Sequence, residues 1–248
     1  MKTVKWFVCG MLTLVVAAPE AQSPPDARAQ ADTTQQQINE RILSELKVIH
    51  QLLERLAATQ GSAPATTWRV ANLDGHALGR IDAPLTMVEF ADLQCSFCRQ
   101  FAMTTFGELQ KNWIDTGKLR YVSRDFPLDF HAHAMPAARA VRCAGEQGKF
   151  WEMRLSLMRN ADLISPEFFA RMATSLGLDV KVFTACTASA TFDAKIRAEA
   201  TEGATLGVTG TPTFVVGKTT SAGIEGPVIV GALPYSQFDT KLRELLSR

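Results

Sequence analysis

The stretch VEFADLQCSFCRQF, residues 88–101, decides the fold. Its first residues belong to the run LTMVEFA (85–91), near-continuously apolar except for Glu89, as in a central strand buried on both faces. Cys95 and Cys98 follow at once, and the pattern from Cys95 to Gly117 is helical, with the glycine as its stop. KLRYVSRDF (118–126) then reads as a second strand. Strand, helix and strand in that order imply a right-handed parallel crossover. The cysteine pair therefore sits where a helix begins, among unpaired N–H groups and the positive end of the helix dipole. A thiolate is stabilised there, which makes Cys95 both a better nucleophile and a better leaving group. Cys98, one turn further in, is placed to resolve a mixed disulfide formed at Cys95. Metal holding by the two thiolates and a static disulfide are the competing uses of such a pair.

Working outward, WRVANL (68–73) is a further strand and Asp74 to Pro84 a turn region. Residues 132–205 carry almost wholly helical patterns, in HAMPAARAVRCAGEQGKFWEMRLSLMRN, SPEFFARMATSLGL, DVKVFTACTAS and ATFDAKIRAEATEGATLG. Ser165 before Pro166 and Glu167 is a helix cap with proline in the first turn. Strands return with GTPTFVVG and GPVIVGA, and a helix from Pro234 to Ser247 closes the chain. In GVTGTPTFVV, Thr211-Pro212 stands at a strand start, where proline is tolerated. A cis bond there would bring the Thr211 backbone close to the cysteines, and an extended client segment could pair with it as an added strand. The fold class is thus α/β. Its core is split into two segments, residues 65–131 and 206–248, by a helical insertion at 132–205.

The N-terminus is of another kind. Lys2 and Lys5 precede an apolar run from Trp6 to Ala18, too short to span a bilayer comfortably, and small residues follow at Ala17, Ala18 and Ala21. Residues 1–21 read as a secretory signal, which implies a periplasmic protein; Cys9 lies within the apolar run and lacks a lipobox. Residues 22–64 then divide into a leader and a helix. The stretch 19–34 is rich in Ala, Gln, Pro and Ser, as in a flexible leader. In QQQINERILSELKVIHQLLERLAATQ, Ile42, Leu46, Ile49, Leu53 and Leu56 form a heptad seam that Asn39 extends, stopped by Gly61 and Pro64. A helix this short needs something to pack on. Residues 35–60 are therefore expected to join copies of the chain in a homo-oligomer, the competing use being a helix folded back on its own domain.

Four cysteines remain after the signal, an even count that favours disulfide chemistry in an exported chain. Cys143 and Cys186 both fall in apolar helical contexts, which favours one structural disulfide; a second redox pair and two buried thiols are the alternatives. His131 and His133 have no partner ligands at a recognised metal spacing, so capping or a solvent-facing position is expected. Phe150, Trp151 and Met153 read as core, and Gly145 to Gly148 as a turn rather than a phosphate loop. No phosphate-binding, dinucleotide-binding or serine-nucleophile motif occurs. With 26 Lys and Arg against 25 Asp and Glu, mixed along the chain, nothing argues for a nucleic-acid partner.

Taken together, VEFADLQCSFC, DFPLDFHAHAMPAARAVRCAGEQGKFWEM and GVTGTPTFVVG resemble the DsbA-like thiol:disulfide interchange proteins of the thioredoxin superfamily, over residues 68–248. The resemblance implies a thioredoxin-like fold with an inserted helical domain, Cys95 as the exchanging thiol, Cys98 as the resolving one, and a cis Pro212 with Thr211 lining the client groove. It also matches Glu89 to an acidic residue buried beneath the site; in an otherwise apolar strand, a carboxyl of raised pKa could relay a proton to Cys98. His131 falls where family members often carry a histidine. No cofactor is implied; the partners would be client proteins with thiols or disulfides and a membrane redox partner that resets the pair. Ser96-Phe97 stands where strongly oxidising members carry Pro-His, which leaves the direction of exchange open, and the heptad helix is extra, like the oligomerisation segments of some disulfide isomerases. Those two features tilt the expectation toward isomerase or reductase, with an oxidase as the alternative. A copper or zinc carrier using the two thiolates is the alternative of a different class.

Overall fold

The computed structural model describes the backbone of residues 25–59 and 67–247 and the side chains of 34–52 and 67–247. The signal reading of residues 1–21, the stop at Gly61 and Pro64, and the side chains of Leu53 and Leu56 lie outside the described residues. The chain divides into two units, residues 1–62 and 63–248. Among the described residues the first contains one helix, α1 (Pro25–Thr59). Its start corrects the expected loose leader: residues 25–34 are helical, since Ala, Gln, Arg and Asp in that stretch are compatible with a helix and Pro25 takes the first position, where no N–H is needed. Its apolar residues Ile38, Ile42, Leu46, Ile49 and Leu52 are 46–55% exposed.

In the second unit a sheet runs in the order β1-β6-β5-β3-β4-β2, made of β1 (Thr67–Val70), β2 (His76–Leu78), β3 (Leu85–Ala91), β4 (Leu119–Asp125), β5 (Thr213–Lys218) and β6 (Ile224–Val230). β3 pairs with β4 in parallel and with β5 antiparallel. Every residue of β3 is buried, as its continuous apolar run requires of a central strand. Alternation divides it: Leu85 and Met87 pack with Phe101, Tyr121, Phe214 and Phe238 on one face, and Val88 and Phe90 with Val122, Val215 and Ile224 on the other. Glu89 shares the parity of Leu85 and Met87. β2 corrects the expected turn over 74–84, its short pairing with β4 being too brief to show as a period in the sequence.

The helix expected from Cys95 to Gly117 is one path with a break. α2 (Ser96–Thr104) ends at Thr105, whose hydroxyl donates to Leu233 O at 2.9 Å; α3 (Phe106–Leu109) then runs into a π turn at Gln110–Ile114. Between β4 and β5 lie α4 (Ala134–Gly145), α5 (Phe150–Arg159), α6 (Pro166–Ser175), α7 (Val180–Ala188) and α8 (Asp193–Leu206). The helical pattern over 132–160 is two helices, parted by the turn expected at Gly145 to Gly148, where Gly148, with φ +74°, folds the chain back. Ser165 caps α6, accepting from Phe168 N–H at 3.2 Å, with Pro166 first in the helix. Gly207, at φ +101°, stops α8 in the left-handed conformation. α9 (Tyr235–Leu246) closes the chain, with Pro234 as its cap rather than its first residue. Met153, Leu157, Phe168, Phe169 and Phe183 form a core for the insertion that also includes Cys95 and Cys98.

Candidate active site

β3 aims the chain at the site and α2 begins there. Cys95 is the cap residue of α2, in extended conformation, and Cys98 lies one turn inside the helix. Both are free thiols and both are buried, Cys98 completely. The two residues between them, Ser96 and Phe97, are exposed, Phe97 to 59%, because the first turn of α2 turns its outer side to solvent. The Thr211–Pro212 bond is cis. It delivers the Thr211 carbonyl to the site, 3.3 Å from Cys95 Sγ, which donates to it only when protonated. A contact between residues 116 apart in the chain thus joins the two motifs singled out in the sequence.

The two thiols are electrostatically unlike. Cys95 is lowered to a pKa of about 5, first because the Cys98 thiol hydrogen-bonds to it, and further by Thr211 and the N–H groups of Cys98 and Phe97, against the opposing effect of burial. Cys98 is pushed well above the usual thiol range, chiefly by burial, then by the bond to Cys95 and the charges of Glu89 and Cys95; the Asp92 N–H, which donates to its sulfur at 3.5 Å, works the other way. Hence the outer sulfur is a thiolate at neutral pH and the inner one a thiol.

Beneath them Glu89 is fully buried, not at a solvated sheet edge. Its Oε2 accepts from the Tyr121 hydroxyl and from the Arg154 guanidinium, while Oε1 has no hydrogen-bond partner. Burial raises its pKa, with Arg154 and then Tyr121 opposing. Neither partner was singled out in the sequence. The available signal was Arg154 among the mostly apolar residues of FWEMRLSLM (150–158), since a buried Arg needs a partner.

A third residue that the sequence pattern does not mark is Asp92. It is buried, with Oδ1 accepting from Gln94 N–H at 2.7 Å and Oδ2 from Leu128 N–H at 2.8 Å. His131 Nδ1 lies 2.9 Å from the same Oδ2. His131 is thus tied to the loop that leads into Cys95. His133 bonds through its backbone instead, its N–H donating to Gln94 Oε1 at 2.9 Å. Among the described residues no three His, Cys, Asp or Glu side chains gather as a metal site. Cys143 and Cys186 are bonded to each other, linking α4 to α7 with their Cα atoms 5.8 Å apart.

This fold and this site define a class, and comparison with known proteins places the chain in it. The Thioredoxin family model matches residues 71–225, and the chain belongs to that family. Among solved structures it is similar to alpha-DsbA1 of Wolbachia pipientis, at 25% identity and TM-score 0.63, covering 69% of this chain and 90% of that one. BdbD of Bacillus subtilis shares the fold at 22% identity and TM-score 0.64, over 74% of this chain and 99% of that one. The protein is a DsbA-like member of the thioredoxin superfamily. By sequence it is also 38% identical to Na(+)/H(+) antiporter NhaA 3 of Salinispora tropica over 142 residues, 57% of this chain and 21% of the antiporter. Na(+)/H(+) antiporter NhaA of Herminiimonas arsenicoxydans is 31% identical over 173 residues, 69% of this chain and 27% of that protein. The chain therefore spans 21% and 27% of the lengths of these two curated relatives.

Proposed function

We propose that the protein is an exported thiol:disulfide exchange enzyme that passes its Cys95–Cys98 disulfide to client proteins. A client thiolate attacks Cys95 Sγ. The Cys95–Cys98 bond breaks, its electron pair leaves on Cys98 Sγ, and that sulfur takes up a proton. A second client thiolate then attacks the client sulfur of the mixed disulfide, and Cys95 departs as a thiolate. The client gains a disulfide and the protein is left as a dithiol, which a membrane redox partner would reoxidise. Thr211 and cis Pro212 would line the client groove, with exposed Ser96 and Phe97 at its mouth.

The observation that carries this reading is the lowered pKa of Cys95, about 5, at the start of α2. Stabilising a thiolate that exists only in the reduced form favours reduction of the disulfide, and so makes the pair an oxidant. This argues against the reductase half of the isomerase or reductase direction to which Ser96-Phe97 and the heptad helix together tilted the expectation. Isomerase action stays compatible with it, and the exposed seam of α1 favours that second reading: copies joined through residues 35–60 would enclose a client between their cysteine pairs. The experiment is the equilibrium reduction potential against glutathione. A value near the strongly oxidising end, roughly −120 mV, is expected; one well below about −180 mV would overturn the donor reading.

A further inference from the structure

Deep in the fold, Glu89, Tyr121 and Arg154 come from three elements, β3, β4 and α5, and all three are buried. Arg154 belongs to the helical insertion, not to the thioredoxin core. Two donors converge on a single oxygen, Oε2, while Oε1 accepts from nothing. That asymmetry carries chemical meaning. A carboxyl with one oxygen saturated by fixed donors can take or give a proton only at the other. The Trp151 ring steadies the guanidinium, its centre 5.7 Å from Arg154 Cζ. Glu89 also acts electrostatically on Cys98, so the carboxyl and the inner thiol sense each other. Cys98 itself is wholly buried and needs a proton carrier that is buried with it.

We propose that Arg154 is a positioning residue for the exchange reaction: with Tyr121 it fixes Glu89 through Oε2, so that Oε1 is the atom that exchanges a proton with Cys98. As the Cys95–Cys98 bond breaks, the proton on Glu89 Oε1 passes to the departing Cys98 sulfur and Glu89 becomes a carboxylate facing Arg154. When a mixed disulfide at Cys95 is resolved, the Cys98 proton returns to Oε1, the freed electron pair of Cys98 makes the new bond to Cys95, and the sulfur that had been bonded to Cys95 leaves as a thiolate. The insertion thereby does more than enlarge the surface; it supplies the countercharge for the core's proton carrier. This inference rests on the exchange function proposed above.

The test uses the full reduced protein and a chromogenic aryl disulfide. In the first phase the Cys95 thiolate attacks the reagent and releases one aryl thiolate. In the second, Cys98 loses its proton and displaces the other, so the protein ends oxidised and the reagent ends as two thiolates. Only the second phase draws on Glu89. Arg154→Met is expected to slow it by roughly tenfold or more and to move its pH midpoint upward, since the carboxylate is then harder to form. Arg154→Lys should restore much of the rate. Glu89→Gln combined with Arg154→Met should be no slower than Glu89→Gln alone, because both act through one carboxyl. Tyr121→Phe, which removes the other donor with little change in volume, should shift the midpoint in the same direction and decides the matter if Arg154→Met does not fold. A second phase with unchanged rate and midpoint in a folded variant overturns the assignment. Absence of the first phase in the unaltered protein would instead refute the exchange function.

Discussion

At the scale of single residues, the site works by making two cysteines unequal. Cys95 is held near a pKa of about 5 mainly by the bond from the Cys98 thiol. Thiolate ultraviolet absorbance should therefore titrate near that value, and Cys98→Ala should move the midpoint up toward the ordinary thiol range. The sign for stability follows. A folded pKa below the ordinary 9.0 stabilises the reduced protein relative to Cys95→Ser, in full above pH 9 and progressively less as the pH falls to about 5. Denaturant unfolding of the reduced pair across that window checks it; an advantage that grows toward acid would contradict the assignment. Asp92 is the other decisive residue, since one buried carboxylate organises Gln94, Leu128 and His131. Asp92→Ala leaves two backbone N–H groups without their acceptor and should cost roughly 3 kcal/mol, read as a fall in the denaturation midpoint.

At the scale of elements, the insertion is fastened to the core by links of different strength. Buried Arg142 bridges Asp125 and Glu199, each at 2.5 Å, and Glu199 also accepts from Asp125 N–H at 2.8 Å and from Arg124 at 3.3 Å. These contacts hold α4 and α8 against the end of β4. Such buried charges contribute little net stability once desolvation is counted, but removing one member is costly. The Cys143–Cys186 bond joins residues 43 positions apart, in α4 and α7. By loop entropy it stabilises by roughly 4 kcal/mol. Cys143→Ser with Cys186→Ser should show about that loss on unfolding while the first phase of aryl-disulfide exchange at Cys95 persists. Loss of that phase in a folded double variant would show the second pair to be part of the redox chemistry.

At the scale of the whole molecule, α1 is the element with an exposed apolar seam. Ile42, Leu46 and Ile49 are each about half exposed, at the spacing of a heptad seam. Removing residues 1–62 should leave thiol exchange intact and lower the mass measured in solution by sedimentation from that of an oligomer to that of a single chain. A full-length chain that sediments as a monomer would remove the support for a shared client chamber.

The layout of β3, the cysteine pair, the parallel crossover and the return to strand at Thr213 was legible in the sequence, because each rests on local pattern: a near-continuously apolar strand, a 3.6-residue period, a proline at a strand start. The placement of Cys95 and Cys98 at the start of a helix was legible for the same reason. The short strand β2, the break at Thr105, and the extra turns at the start of α1 were not, since none of them changes the period enough to be seen, whereas the turn ending at Gly148 was read from its two glycines. What only the tertiary structure decided is who meets whom in the interior. Arg154 reaches Glu89 across 65 positions of chain, and Thr211 reaches Cys95 across 116. A buried charge announces in the sequence that it needs a partner, because an unpaired one is too costly to bury. The identity of that partner depends on how the insertion docks on the sheet, and no local pattern encodes it.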